Sequence, residues 1–173
     1  MKRREFLRKA GMGSAALASA LAVARPAQAA DQQEADARFE WVIGAPNGAP
    51  SRAQDGSTIT FKGSGTFQPG NPDEVTGGGS WSLSTGENGT YQVTSLAKFD
   101  PAPGAVPAAP AIRAGLVFLR IAYSDGSRGM LVVSCHLPGT PDSVAEGIIA
   151  SKGFVLYWNH IQAITFFRFL GGD

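Results

Sequence analysis

At 173 residues the chain has the length of a single domain plus a leader, and its one cysteine, Cys135, leaves no partner for an internal disulfide. The formal net charge of +1 conceals an asymmetry: six of the fifteen basic residues (Lys2, Arg3, Arg4, Arg8, Lys9 and Arg25) precede residue 30, and residues 30–173 carry nine basic against thirteen acidic side chains, a net of −4. With no Lys/Arg cluster outside the first ten residues, this balance argues against nucleic acid and other polyphosphate partners, which need a concentrated basic surface.

In chain order, Lys2-Arg3-Arg4-Glu5-Phe6-Leu7-Arg8-Lys9 is a basic head with an arginine pair. Ala10 to Ala24 is mildly apolar and too short to span a bilayer, and Ala27-Gln28-Ala29 supplies a small-x-small cleavage site. These residues resemble a twin-arginine signal peptide, which implies export of an already folded protein by the twin-arginine translocation machinery to the periplasm or the extracellular space. No cysteine follows the apolar segment to take a lipid, so the expected product has no stable membrane anchor. The expected organisation is a cleaved leader over 1–29, a flexible arm over 30–37 and a single domain over 38–173.

From Arg38 the sequence breaks into short β-type runs divided by Gly, Pro, Asn and Asp. Strands are expected over 38–43, 57–62, 65–68, 79–84, 90–99, 115–124, 128–136, 149–158 and 163–170. Tyr91, Val93, Ala97 and Phe99 share one parity and Gln92, Thr94 and Lys98 the other, with Leu96 the exception. Gly65-Thr66-Phe67, Gly79-Ser80-Trp81 and Gly89-Thr90-Tyr91 each place an aromatic two residues after a glycine, as a meander with relieved crowding would. Asn88-Gly89 and Asp125-Gly126 are turn signals. If Asp125-Gly126 forms a two-residue turn, Leu119 faces Val132, and Arg120 shares a row with Phe118, Leu131, Val133 and Cys135. The proline-rich stretch from Asp100 to Pro110 reads as an exposed connection. Thr140-Pro141-Asp142 to Gly147 reads as a short helix near residues 141–147, capped by Thr140 and stopped by Gly147. The fold class expected is all-β, a small antiparallel β-barrel.

Leu116–Leu119, Met130–Val133, Phe154–Trp158 and Ile164–Phe167 are apolar on both parities, so both of their faces call for cover. One face fills a barrel; the other awaits a helix, the proline-rich segment or another copy of the chain, which makes a homo-oligomer an expectation.

Neighbouring residues on a strand point to opposite faces, so Cys135 and His136 cannot form a dyad, and Cys135 reads as a small buried hydrophobe. His136, beside Leu137-Pro138-Gly139, suits a polar group at a barrel mouth. Arg120 in apolar company is a solvated side chain at an oligomer seam, a buried cation paired with an acid such as Glu146, or a clasp for a ligand carboxylate. Tyr123, Tyr157, Trp158 and Asn159 combine stacking and hydrogen bonding, which suits a cavity rim and equally suits barrel closure. Two histidines, His136 and His160, with no His-x-x-x-His or Cys-x-x-Cys spacing, give no expectation of a metal, and no cofactor motif is present.

The block Val132 to Ser143, continuing to Gly153-Phe154 and Tyr157-Trp158-Asn159, together with Val75 to Trp81, resembles a group of uncharacterised exported bacterial proteins. The glycine-started aromatic strands are also similar to barrels of the calycin, allene oxide cyclase and dirigent type. The resemblance implies a calycin-like barrel and, by itself, no activity. The first expectation is a binding protein with a small hydrophobic ligand in its interior. The alternatives are a cofactor-independent cyclase or isomerase and a non-catalytic structural or assembly protein.

Overall fold

The computed structural model describes residues 35–44, 46–105 and 111–172, so the leader, most of the arm and residues 106–110 of the proline-rich stretch lie outside the described residues. Eleven strands follow: β1 (Ala37–Ile43), β2 (Ala49–Ala53), β3 (Thr58–Phe67), β4 (Gly78–Leu83), β5 (Asn88–Pro101), β6 (Ile112–Arg113), β7 (Gly115–Tyr123), β8 (Arg128–Cys135), β9 (Gly147–Lys152), β10 (Val155–His160) and β11 (Thr165–Gly172). They form one antiparallel sheet, in which β2, β3, β4, β5, β7, β8, β9 and β10 are each bonded to the next and β10 returns to β2. Eight strands thus stand in a ring, in chain order apart from β6. Closure leaves these strands few unpaired edges, which removes the exposed backbone donors that would otherwise recruit other strands.

Two of the ring's members are interrupted rather than ended. Residues 63–67 of β3 pair with β1 and residues 58–61 with β2, while the other edge of β3 is taken by β4. In the same way β10 pairs with β2 and β11 with β1. A second circuit of pairings runs β1, β3, β4, β5 and β7, then through Ala114 into β6, on to β11 and back to β1. The ring therefore has eight strands at one end and narrows to six at the other. Beyond the level of Ser134, β11 replaces β8, β9 and β10, and it is tied to β8 by the Thr165 hydroxyl donating to the Ser134 carbonyl at 2.5 Å.

The hairpins β2–β3, β4–β5, β7–β8 and β9–β10 all turn at the wide end, and three of them share one construction. Gly56, Gly86 and Gly126 each have positive φ (86°, 104° and 86°), and each donates its N–H to the carbonyl three residues back, on Ala53, Leu83 and Tyr123. These are three-residue loops with a glycine in the left-handed position, a geometry that matches strand twist. Asp55 and Asp125 repeat one hydrogen-bond set: each accepts from the backbone N–H (2.9 Å in both) and the hydroxyl (2.6 and 2.7 Å) of the serine two residues on, Ser57 or Ser127.

That loop length corrects the expected register. Tyr123 N–H bonds Ser127 O, so Leu119 lies opposite Leu131, Val117 opposite Val133 and Arg120 opposite Met130. Inward side chains are odd-numbered on the ring strands and on β1 and β11, with β9 (Ile148, Ala150) the exception. Bulges at Val93/Ser95 and Leu96/Lys98 turn Leu96 inward, which accounts for its break in parity. The turn expected at Asn88-Gly89 sits instead on Gly86, and Asn88 opens β5.

The run expected over 149–158 is two strands with a turn at Gly153, and the runs over 57–62 and 65–68 are one strand, β3. Strands β2 and β6 carried no clear signal. No helix forms near 141–147. The segment is a turn closed by Val144 N–H to Pro141 O at 2.9 Å, and the two carbonyls that follow are bonded to β8 side chains instead of to further backbone donors: Val144 O by His136 and Ala145 O by Ser134 Oγ.

Candidate functional site

The interior is aromatic, and its chemistry divides along the axis of the ring. At the narrow end Phe39, Phe67, Phe99 and Phe167 pack at centroid distances of 5.0 to 6.0 Å, with Phe169 edge-on to Phe39 at 5.8 Å. None of these rings carries a polar atom. Toward the wide end the rings are Tyr91, Phe61, Tyr123 and Trp81, linked in that order at 5.0, 6.2 and 5.6 Å.

Lys152, the last residue of β9, covers this second group. Its ammonium stands 4.6 Å from the Trp81 ring centre and 5.5 Å from that of Tyr123, and it is ion-paired with Asp125 on the neighbouring hairpin. Only 16% of the Lys152 side chain is exposed. Such a cation over two ring faces is held by their quadrupoles as well as by the carboxylate. Asp125 is kept far below the usual carboxylate range, first by its bond to Lys152 and then by Ser127. Tyr123 Oη donates to Ser151 O at 2.7 Å, and burial above all raises its pKa; burial also raises that of Tyr157, with Ser57 opposing.

Deeper in the ring lie two polar groups with no partner, Trp41 Nε1 and Tyr91 Oη. Both side chains are buried and flank a floor of glycines. Trp41 is opposite Gly65 in one register row, and Gly63, Gly79 and Tyr91 share the next row on the same face, so the floor spans two neighbouring rows across β1, β3, β4 and β5. A methyl group on Gly63 would collide with Tyr91 Oη, and one on Gly77 would stand 2.7 Å from Trp41 Cζ2. The glycines are what let two large rings lie against the backbone. An unpartnered buried donor costs about 1–3 kcal/mol, so two of them on one wall mark the place where an acceptor atom would be stabilised. Desolvation raises the Tyr91 hydroxyl far above the usual phenol range, which keeps it a donor at any ordinary pH.

The residues expected to form a site do not come together. Tyr123 and Tyr157 point inward at the wide end. Trp158 and Asn159 lie on the same strand as Tyr157 but are exposed. Arg120 is exposed, opposite Met130 on the outer face; the row that placed it with Leu131, Val133 and Cys135 depended on the two-residue turn that does not form. Glu146, its suggested partner, accepts from Thr165 N–H at 3.5 Å.

His136 is half-buried at the narrow end, where Nδ1 lies 2.8 Å from both Val144 O and Thr140 Oγ1. The Thr140 hydroxyl gives its proton to Leu137 O at 2.7 Å, so Nδ1–H is the donor shared between the other two, and the imidazole ties down the 137–145 loop. Cys135 is buried, its thiol pushed up to about 11 mainly by burial. Sequence reasoning missed Trp41 and Lys152, which no local pattern marks. Trp81 was flagged only as an aromatic of the glycine echo, and Tyr91 by that echo and by its dry parity.

Two grooves open on the outside. One of about 370 Å³ lies where β1–β2 and β10–β11 are both interrupted, lined by Gly44, Asn47, Pro50, Thr60, Gln162 and Ile164 among others. The other, about 300 Å³, lies along the β5–β7 seam at Gln92, Ala122 and Ser124. Among the described residues no cluster of three or more His, Cys, Asp or Glu is placed to hold a metal ion.

The fold and this interior define an eight-stranded antiparallel ring with an aromatic lumen, apolar at one end and lysine-covered at the other. No family model, curated protein or solved structure matches the chain.

Proposed function

We propose that this chain is an exported calycin-like β-barrel that acts as a binding module for a small hydrophobic molecule bearing a hydrogen-bond acceptor. The ligand enters the wide end and sets its acceptor against Trp41 and Tyr91. The observation that carries this reading is the pair of unpartnered donors, Trp41 Nε1 and Tyr91 Oη, on one glycine-floored wall of an otherwise apolar lumen. The lumen is filled by its own rings, so entry requires Lys152 and the hairpin that carries it to swing aside. The reading favours binding over turnover because the inward-facing Cys135, Tyr91 and Tyr123 all have raised pKa values. They stay protonated at neutral pH and supply no base. Export by the twin-arginine route, which moves a folded domain, suits a fold that needs no disulfide.

The test is native mass spectrometry of protein purified from the exported fraction, followed by tryptophan fluorescence titration with a quinone, an aliphatic ketone and a fatty acid. A co-purifying mass is expected, together with an affinity for at least one probe that falls about fivefold in Tyr91→Phe, the worth of one hydrogen bond. Protein that carries no mass and answers to none of the probes would remove the reading.

A further inference from the structure

The large apolar side chains most exposed among the described residues all belong to one segment: Phe154, Val155, Leu156, Trp158, Ile164 and Leu170. Val155, Leu156 and Trp158 are on β10 and Leu170 on β11, with Ile164 just before β11. Phe154, at the β9–β10 tip, is fully exposed. Residues 154–167 contain no Asp, Glu, Lys or Arg.

The strip is not isolated. Phe118, Val132 and Ile149 form a register row across β7, β8 and β9 on the same outer side, and each is half-buried. Arg52 on β2 and Arg120 and Arg128 on β7 and β8 border the region, and Arg168 lies over the Phe166 ring and pairs with Glu40 at 3.3 Å.

We infer that this outer face of β10–β11 is an isologous interface with a second copy of the chain. Three observations select that occupant. The six side chains expose on the order of 700 Å² of surface, taking about 150–250 Å² for each aromatic ring, which is more than the 300–600 Å² of the largest patch on a typical monomer and close to the roughly 800 Å² that each partner gives to a standard interface. The strip is also symmetric about its middle in its exposed and half-buried side chains: apolar at Phe154, Leu156 and Trp158, polar and uncharged at Asn159, His160 and Gln162, and apolar again at Ile164 and Phe166. Laid antiparallel on its copy, apolar meets apolar at both ends and the polar centre meets itself, as a two-fold contact requires. The centre is free of charge and the border is arginine, the pattern of protein interfaces. A lipid surface would have to bury the Asn159, His160 and Gln162 centre without partners. This inference stands apart from the binding reading, since it uses only outward side chains.

The test is sedimentation velocity on the exported protein, with Leu156→Arg and Ile164→Arg as variants at outward positions and circular dichroism as the control for folding. A dimer at about 10 µM is expected, with each variant weakening association about thirtyfold or more, the loss of one central contact. Oxidation of His160→Cys in a Cys135→Ala background is expected to give a cross-linked dimer, because position 160, exposed and at the midpoint of the strip, lies beside its own copy across the axis. That result reads the geometry even if an arginine variant fails to fold. A strictly monomeric protein, a dimer unaffected by both arginine variants, or a monomer that floats with phosphatidylglycerol vesicles would each overturn the inference.

Discussion

Five phenylalanines close the narrow end of the ring, and two tyrosines, a tryptophan and a lysine close the wide one. Both ends are aromatic and both are buried, yet they are held by different physics. The phenylalanines have only area and ring geometry to offer, and they sit where six strands crowd together, so packing there is stabilisation without chemistry. At the wide end each ring but Phe61 carries a polar atom that must be matched. Tyr123 is matched by Ser151 O and Trp81 Nε1 by Thr90 O at 3.1 Å, whereas Tyr91 and, on the same glycine floor, Trp41 are not. A region that leaves donors unmatched gives up stability, and binding sites tend to be drawn from such regions.

Substitutions can break that contrast. The largest effect is expected at the narrow end: Phe67→Ala should cost about 3–5 kcal/mol in urea unfolding, because neighbouring rings on a narrowed ring of strands cannot collapse into the space. A loss under 1 kcal/mol would mean that this end is loosely packed.

The sharpest comparison is between two tyrosines at the other end. Tyr123→Phe removes a bonded hydroxyl and strands Ser151 O, which should cost about 1–2 kcal/mol. Tyr91→Phe removes an unpartnered one and should leave the ligand-free protein equally stable or up to about 2 kcal/mol more stable. The same sign for both would show that Tyr91 is matched in solution.

Lys152→Met keeps the stem over Trp81 and Tyr123 but drops the charge. A loss of about 1 kcal/mol, shrinking at high salt, is expected by thermal unfolding in low and high salt, since Asp125 is partly exposed and its attraction is screened.

Smallest at neutral pH is the contribution of Cys135. Its folded pKa of about 11 lies above the ordinary value of 9.0, so below pH 9 the thiol is protonated in both states and has no effect. Between pH 9 and 11 the unfolded chain gives up the proton more readily, and stability should fall through that window. A Cys135→Ala variant should lose part of the fall in Tm across that range, and the thiol should resist a disulfide reagent at pH 8 until the protein is unfolded.

Much of the architecture was legible because alternation is a local property. The parity of Tyr91, Val93 and Phe99 against Gln92, Thr94 and Lys98 reports which face is dry, although Ala97, expected on the dry face, is exposed between the bulges, and the Asp125-Gly126 signal does mark a hairpin. What failed was a matter of single residues. A three-residue loop in place of a two-residue one moved Arg120 from an apolar row to the surface. The capping pattern at Thr140-Pro141 yields a single turn, whose end is tied to β8 by Ser134 and His136, contacts that no local pattern carries. The site residues named in advance, Arg120, Tyr123, His136, Tyr157, Trp158 and Asn159, were chosen for their aromatic or polar groups, and of them only Tyr123 and Tyr157 are buried in the ring.

Composition and periodicity, then, determined by themselves that this protein is built of antiparallel strands around an apolar centre with no disulfide, since burial and alternation are written residue by residue. Only the tertiary structure decided that the ring narrows from eight strands to six, that Lys152 covers Trp81 and Tyr123, and that Trp41 and Tyr91 share a glycine floor. Those facts join residues as far apart as positions 41 and 91 or 81 and 152, and such proximity depends on strand order and register, which no local pattern carries.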